Sequence, residues 1–173
     1  LKIEKHIIWE TNPNNDNIEI YYQASDIFLS LSDYCGETFG LTILEAMACE
    51  LPVVISKFSG YKDHLKDENN GFYCKTYTSN IMIDSEFYTN DNTNFGNIYS
   101  QSISINKKDL LFKLNSLLES KKLRTKIGTN ARNTITNSKS NKIMYQNYKD
   151  LLKKILKDKE NQPPFKTISD VPN

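Results

Sequence analysis

A helix-forming segment that runs directly into a β-branched strand is the feature that most limits how this chain can fold. Residues 41–49 are rich in strong helix formers, and Pro52 ends that segment because proline lacks a backbone N–H and clashes with the preceding turn. Pro52-Val-Val-Ile55 is continuously apolar, which is typical of a strand buried on both faces of a parallel sheet. The junction therefore predicts an α/β fold.

The neighbouring segments repeat this rhythm. Short apolar runs at residues 6–9, 27–31 and 71–74 predict further strands, and an apolar stripe at residues 18–22 predicts a short helix between the first two. After Lys107, leucine and isoleucine recur at helical spacing in three successive stripes, which predict three helices. The expected fold is a Rossmann-like parallel sheet with helices on both faces and right-handed crossovers.

Two segments break the pattern. Residues 76–106 are rich in Asn, Ser, Thr and Tyr and hold too few apolar positions for a core, so a polar surface insertion is expected there. Residues 161–173 contain two adjacent prolines and few apolar residues, which predicts an unstructured tail. We therefore expect one domain over residues 1–160, followed by that tail.

The composition excludes several classes of function. Lysine and arginine total 22 against 21 acidic residues, so no basic excess favours nucleic acid binding. The three cysteines and two histidines lack metal-ligand spacing, and we expect no metal, no cofactor and reduced thiols. No apolar run approaches the ~20 residues of a membrane span. Because the chain begins with Leu1 rather than Met, we also expect its N-terminal part to be missing.

Glu37 and Glu45 are the residues most indicative of chemistry. An uncharged stretch separates them, and Gly40 lies where the loop after the 27–31 strand should become a helix. The first N–H groups of that helix, at Leu41 and Thr42, would be unpaired and suited to an anion such as phosphate. Ligands of open α/β sheets bind beside the carboxyl ends of the strands, which is where this turn should lie.

The spacing fits a nucleotide sugar lying along the helix. Eight helical residues rise about 12 Å, comparable to the span from a donor sugar to the ribose. Glu37 could then accept hydrogen bonds from sugar hydroxyls, and Glu45 from the ribose diol. On spacing alone an equally good interpretation exists: Glu37 complements the helix dipole and Glu45 faces solvent.

A family resemblance favours the first interpretation. The stretch "SDYCGETFGLTILEAMACELPVV", followed by "SGYKD" and "NNGFY", resembles the C-terminal half of family 4 retaining glycosyltransferases of the GT-B fold. Their hallmark is a Glu-x7-Glu motif, with which Glu37, Gly40, Glu45 and Pro52 are in register. Glu50 departs from the usual glycine, and the 76–106 insertion is absent from most members.

The resemblance implies a donor-binding domain for a nucleotide-diphosphate hexose, with Glu37 as the catalytic residue. Substrate-binding roles fall on Glu37, Phe39, Gly40, Leu41, Thr42 and Glu45. It also implies a glycan or lipid-linked acceptor, and a missing N-terminal domain of the same protein without which these 173 residues should transfer no sugar. The resemblance also implies a cytoplasmic location, either with or without peripheral contact at the inner face of the membrane.

Two alternatives remain open from the sequence. A non-catalytic module could have kept the fold as a binding or assembly surface. A GT-B epimerase or phosphorylase would share the architecture, although the Glu-x7-Glu pattern gives no reason to prefer it. The basic residues near 149–157 could contact anionic lipid, or form an ordinary solvated helix face.

Overall fold

The computed structural model describes residues 2–11, 17–34, 36–66, 68–78 and 99–160. The helices are α1 (Ile18–Gln23), α2 (Leu41–Ala48), α3 (Lys107–Glu119), α4 (Lys121–Ser138) and α5 (Asn141–Glu160). The strands are β1 (Phe28–Ser30), β2 (Val53–Ser56), β3 (Phe72–Cys74), β4 (Thr76–Thr78) and β5 (Ile103–Ile105). Single 3-10 turns lie at Glu4–His6 and Ser59–Asp63.

A parallel sheet of three strands, in the order β1-β2-β3, forms the centre of the first part of the chain. Phe28 pairs with Val53, and Val54 pairs with Phe72, so the three strands end at the same edge. The strands expected at 27–31, 52–55 and 71–74 are confirmed, as are the helix after the first of them and the three helices after Lys107.

Strand β2 is buried along its whole length because helices cover both faces of the sheet. Val53 and Ile55 pack with Ile43 and Met47 of α2 in one apolar cluster. Val54, which points to the opposite face, packs with Leu117 of α3 and Ile127 of α4 in a second cluster. This two-sided burial explains why the strand is apolar at every position rather than at alternate ones, and it confirms the predicted α/β architecture.

The strand expected at residues 6–9 is wrong. Residues 4–6 form a 3-10 turn, and the residues after it have no regular structure. Ile8 and Trp9 are 94% and 82% exposed, respectively. Within the described ranges no strand pairs with this segment, and a short apolar run does not form a stable strand without a partner.

The two ends of the polar insertion are more regular than expected. Strands β4 and β5 pair antiparallel, with Thr76 opposite Ile105, and the Asn106 N–H donates to the Lys75 carbonyl at 2.8 Å. Ile103 of this ribbon is buried. Residues 79–98 of the insertion lie outside the described residues.

The chain divides into two compact units, residues 1–135 and residues 136–173. In the second unit the expected helix is present as α5, and its apolar side chains are exposed, among them Tyr148, Leu152 and Ile155. None of the helices in the described ranges is long and apolar enough to cross a membrane. The predicted tail at 161–173 lies outside the described residues, and the single domain over 1–160 stays a prediction.

Gly128 gives a test of how α4 packs. A Cβ built on it would lie 1.9 Å from the carbonyl oxygen of Glu50, a backbone atom that a rotamer change cannot move. We expect Gly128→Ala to lower the free energy of unfolding by about 1–3 kcal/mol, the usual cost of overpacking, although alanine normally favours a helix. Urea unfolding measures this.

Thr129→Ala is the matched control, because Thr129 is the next residue of the same helix and is exposed. Its effect should stay within about 0.5 kcal/mol. Equal stability of the Gly128→Ala variant and the unchanged protein would contradict the close contact between α4 and Glu50.

Candidate functional site

Two loops meet at the edge where the parallel strands end. One follows β1 and leads through residues 31–40 into α2, and the other follows β2 and forms the Ser59–Asp63 turn. Because β1 and β2 are adjacent and parallel, both loops leave the sheet at the same edge. This is the position at which open α/β sheets bind their ligands.

Glu37 and Gly40 form the turn that begins α2. The Gly40 N–H donates to Oε1 of Glu37 at 2.9 Å, so the carboxylate is held beside the start of the helix and is half-buried. Gly40 has φ 77°, a left-handed conformation that glycine adopts without cost. It is also buried, and a Cβ there would lie 2.5 Å from the Tyr61 ring. Only glycine fits both requirements.

Leu41 and Thr42 occupy the first turn of α2, whose N–H groups have no acceptor within the helix. The Ile43 N–H is already bound to the Gly40 carbonyl at 3.1 Å. Both Leu41 and Thr42 are exposed, and Phe39 just before them is 48% exposed. The predicted substrate-binding residues from Glu37 to Thr42 therefore surround one accessible helix N-terminus, a favourable place for an anion.

Glu45 lies one turn further along α2, where it is exposed and accepts a hydrogen bond from the Tyr22 hydroxyl at 2.8 Å. The helix begins only at Leu41, so four residues, or about 6 Å of helical rise, separate Leu41 from Glu45. The estimate of about 12 Å assumed a helix over the whole interval, whereas Glu37 lies in the turn before α2.

The sequence analysis missed Tyr22 as a neighbour of the site. Tyr22 is on α1 and Glu45 on α2, 23 residues apart, and no short-range pattern connects them. Burial raises the pKa of the Tyr22 hydroxyl well above its ordinary value of 10.0, and the hydrogen bond to Glu45 raises that pKa further. The hydroxyl is therefore protonated at neutral pH and donates to the carboxylate.

The raised pKa predicts a pH dependence of stability. A tyrosine whose pKa is higher in the folded state stabilises the fold fully below its unfolded pKa, near 10. That stabilisation is lost as the pH rises through the folded value. We therefore expect the stability difference between the unchanged protein and Tyr22→Phe to shrink above pH 10, as measured by urea unfolding at pH 8 and pH 10.5. A difference that grows with pH would contradict the assigned hydrogen bond.

The Ser59–Asp63 turn packs against the Glu37–Gly40 loop and supports it. A Cβ on Gly60 would lie 1.6 Å from the Thr38 carbonyl oxygen, so the two backbones are in direct contact. The Tyr61 hydroxyl and the Ser30 hydroxyl share a hydrogen bond at 2.9 Å, which connects the turn to the end of β1. The loop that carries Glu37 is thus fixed from both of its ends.

His64 completes this support. It is buried, its Nε2 contacts the Phe39 carbonyl, and its ring meets the Phe39 ring edge-on with centroids 5.1 Å apart. From the sequence His64 was only an isolated histidine, because Phe39 lies 25 positions away. Within the described ranges, no group of three His, Cys, Asp or Glu side chains could hold a metal ion.

The part of the chain that contains these loops is similar to a known protein family. Residues 1–85 match the family model described as "Glycosyl transferases group 1", and this range includes β1, α2, β2 and β3. The matched region contains the whole Glu37–Glu45 segment and both loops at the sheet edge. This part of the chain is therefore similar to group 1 glycosyltransferases.

Two curated relatives align with a shorter stretch. The alpha-monoglucosyldiacylglycerol synthase of Acholeplasma laidlawii is 36% identical over 59 residues, which are 34% of this chain and 14% of the relative. The N-acetyl-alpha-D-glucosaminyl L-malate synthase of Bacillus anthracis is 35% identical over 60 residues, 35% of this chain and 15% of the relative. The match spans about one seventh of the length of these relatives.

A solved structure supports the fold. The glycosyltransferase of Rickettsia africae ESF-5 superposes with a TM-score of 0.57 at 24% identity, over 83% of this chain and 31% of that one. The chain therefore has the α/β fold of a GT-B glycosyltransferase, with a parallel sheet flanked by helices.

Proposed function

We propose that this chain is the donor-binding part of a retaining glycosyltransferase that moves a hexose from a nucleotide-diphosphate sugar to a glycan or lipid-linked acceptor. The observation that carries the proposal is the turn at Gly40. It holds the Glu37 carboxylate beside the N-terminus of α2, with Glu45 on the same helix one turn further on. No metal and no cofactor enter the proposal.

Each part of the donor has a chemically suitable partner. Glu37 accepts hydrogen bonds from hydroxyls of the transferred sugar and is the catalytic residue, because its negative charge lies nearest the carbon where positive charge develops. The free amides at Leu41 and Thr42 bind the diphosphate, with the Phe39 N–H as a further donor. Glu45 accepts from the ribose diol.

Tyr22 has a positioning role in this arrangement. Its hydroxyl occupies Oε2 of Glu45, which orients the carboxylate and leaves the other oxygen for the ribose. A hydroxyl kept protonated by its raised pKa suits this task because it continues to donate at any physiological pH.

The relatives support a hexosyl donor. Their names describe one protein that makes a glucosyl lipid and another that joins N-acetylglucosamine to malate. Because the alignment spans only 14–15% of these relatives, an N-terminal domain of the same protein that forms most of the acceptor site is part of the proposal. We accordingly expect the 173 residues alone to transfer no sugar. A cytoplasmic protein that reaches acceptors at the inner membrane face fits such substrates.

A non-catalytic binding module is the second candidate function. It would keep the fold and the Gly40 turn, in which the Glu37 carboxylate would only accept the Gly40 N–H and complement the helix dipole. Chemistry at a sugar carbon gives that carboxylate a role, which favours the transferase.

A panel of nucleotide sugars tests the proposal. UDP-, GDP- and ADP-linked hexoses would be titrated into the full-length protein by calorimetry, with the matching free hexoses as controls. We expect one nucleotide sugar to bind with micromolar to millimolar affinity, as is usual for enzyme substrates, and the free hexoses to bind far more weakly. Binding of none of the nucleotide sugars would contradict the proposed function.

A further inference from the structure

A cleft of about 380 Å³ opens beside the Ser59–Asp63 turn, among residues that follow β2 and β3. Three lysines line it: Lys57 follows β2, Lys62 lies in the turn, and Lys75 follows β3. Lys57 and Lys75 are brought together by the sheet, because Ser56 pairs with Cys74 and the Lys57 N–H donates to the Cys74 carbonyl at 2.9 Å. We refer to this cleft as the basic groove.

The positive charge of the basic groove is not neutralised by ion pairing. In the described part of the chain, none of these three ammonium groups has a carboxylate within 4.0 Å. The Lys57 ammonium lies 5.8 Å from the centroid of the Tyr73 ring. The Oδ2 atom of Asp109 accepts hydrogen bonds from the Lys75 N–H and from the Lys113 ammonium. Three like charges in one small cleft favour an anionic ligand.

Aromatic side chains form the rest of the wall. Phe58 is buried beneath Tyr99, with ring centroids 6.2 Å apart, and Tyr77 on β4 is 56% exposed at the opening. The Thr76 hydroxyl is already used, because it donates to the Lys57 carbonyl at 2.8 Å. Aromatic faces with a few charged groups are typical of small-ligand sites, and an exposed tyrosine can contact the apolar face of a sugar ring.

From these observations we propose that the basic groove binds the acceptor of the reaction, and that this acceptor is a saccharide carrying an anionic group, either a phosphate or a carboxylate. The lysines contact the anion. Each ammonium group is a point charge on a flexible stem, so this contact requires no fixed geometry. Tyr77 contacts the ring. The inference rests on the proposed transferase function, because only a second substrate requires a site separate from the donor residues on α2.

The position of the groove favours the acceptor over the donor. The proposed donor residues lie on the loop after β1 and on α2, whereas the groove is lined by residues that follow β2 and β3. A ligand held there would therefore border the donor site without occupying it.

Calorimetric titration of the full-length protein tests the proposal with four probes: glucose 6-phosphate, glucuronate, neutral glucose and inorganic phosphate. We expect an anionic sugar to bind at least about ten-fold more tightly than glucose, and its affinity to fall as salt is raised. Comparing the first two probes distinguishes a phosphate from a carboxylate. Equal binding of charged and neutral sugars, or no binding of either anionic sugar, would overturn the proposal.

A triple variant, Lys57→Gln, Lys62→Gln and Lys75→Gln, should weaken the anionic sugar about ten-fold, the effect expected when three exposed charge contacts are lost together. The matched control is Lys108→Gln, Lys122→Gln and Lys126→Gln, which makes the same change of charge at exposed positions of α3 and α4 and should leave affinity within about two-fold. Equal losses of affinity in both triple variants would mean that the overall charge of the protein attracts the anion. That result would overturn the proposed site.

Two further measurements distinguish this proposal from other assignments of the groove. Tyr77→Ala should weaken glucose 6-phosphate but not inorganic phosphate; equal weakening of both would overturn the saccharide assignment. The groove variant should also keep its affinity for the nucleotide sugar. Loss of nucleotide-sugar binding with unchanged sugar-phosphate binding would assign the groove to the donor. Sugar-phosphate binding by a protein that binds no nucleotide sugar would support the groove and contradict the proposed function.

Discussion

Gly60→Ala is expected to lower transferase activity of the full-length protein by about 100-fold or more. The added Cβ would lie 1.6 Å from the Thr38 carbonyl oxygen and 2.5 Å from its carbonyl carbon, so the backbone itself must move. Thr38 immediately follows Glu37, and a shift of about 1 Å in a reacting group can cost that much in rate. Steady-state kinetics with a saturating donor measure the loss.

Gly36→Ala is the matched control for this change. Gly36 lies in the same loop, but its added Cβ would meet only the exposed ring of Tyr34, a side chain that can turn away. Its activity should stay within a few-fold of the unchanged protein, since such surface substitutions usually cost about 0.5 kcal/mol or less. If both variants were equally active, the contact between the Ser59–Asp63 turn and the Glu37 loop would have no role in the site.

Glu37→Gln should reduce kcat by about 100-fold, the usual effect of losing a preorganised electrostatic group. The substitution is selective because the glutamine amide keeps an oxygen that can accept the Gly40 N–H, which Glu37 accepts at 2.9 Å. The turn is therefore kept and the charge is removed. Under the proposed mechanism that charge would matter most in the transition state, when positive charge develops at the sugar carbon, so KM should change little.

The stability of the Glu37→Gln variant separates chemistry from folding. Its melting temperature should match that of the unchanged protein within a few degrees, because the retained hydrogen bond holds Gly40 in place. A lower kcat accompanied by a marked fall in melting temperature would mean that Glu37 affects activity only by stabilising the turn.

The sequence predicted the parts of this fold that depend on local information. The buried strand at Val53–Ser56 and the helix before it have composition and periodicity that few other structures satisfy. The pairing of β4 with β5 was missed, because it joins Thr76 to Ile105 across a polar segment without a hydrophobic pattern. Residues 6–9 were wrongly predicted as a strand, since apolar character alone does not supply a neighbouring strand.

The candidate site, like the fold, was predicted from the sequence only in part. The motif located Glu37, Gly40 and Glu45, and the structure brings the first two into contact. Tyr22 and His64 could not be found, because each reaches its partner through tertiary packing across 23 and 25 residues. Side chains that position a site from a neighbouring element leave no spacing signal in one sequence. The basic groove was missed for the same reason, because Lys57 and Lys62 of the loop after β2 meet Lys75 only through the pairing of β2 with β3.

The most direct test of the donor placement is a comparison of Glu37→Gln with Glu45→Gln by steady-state kinetics at varied nucleotide-sugar concentration. In the proposed arrangement Glu45 would bind the ribose equally in ground and transition states, so its loss should mainly raise the donor KM, by an amount equivalent to about 1.5–3 kcal/mol, which is typical of charged hydrogen bonds. Glu37→Gln should mainly lower kcat. A fall in kcat for Glu45→Gln with only a KM change for Glu37→Gln would reverse the two roles and contradict the proposed orientation of the donor along α2.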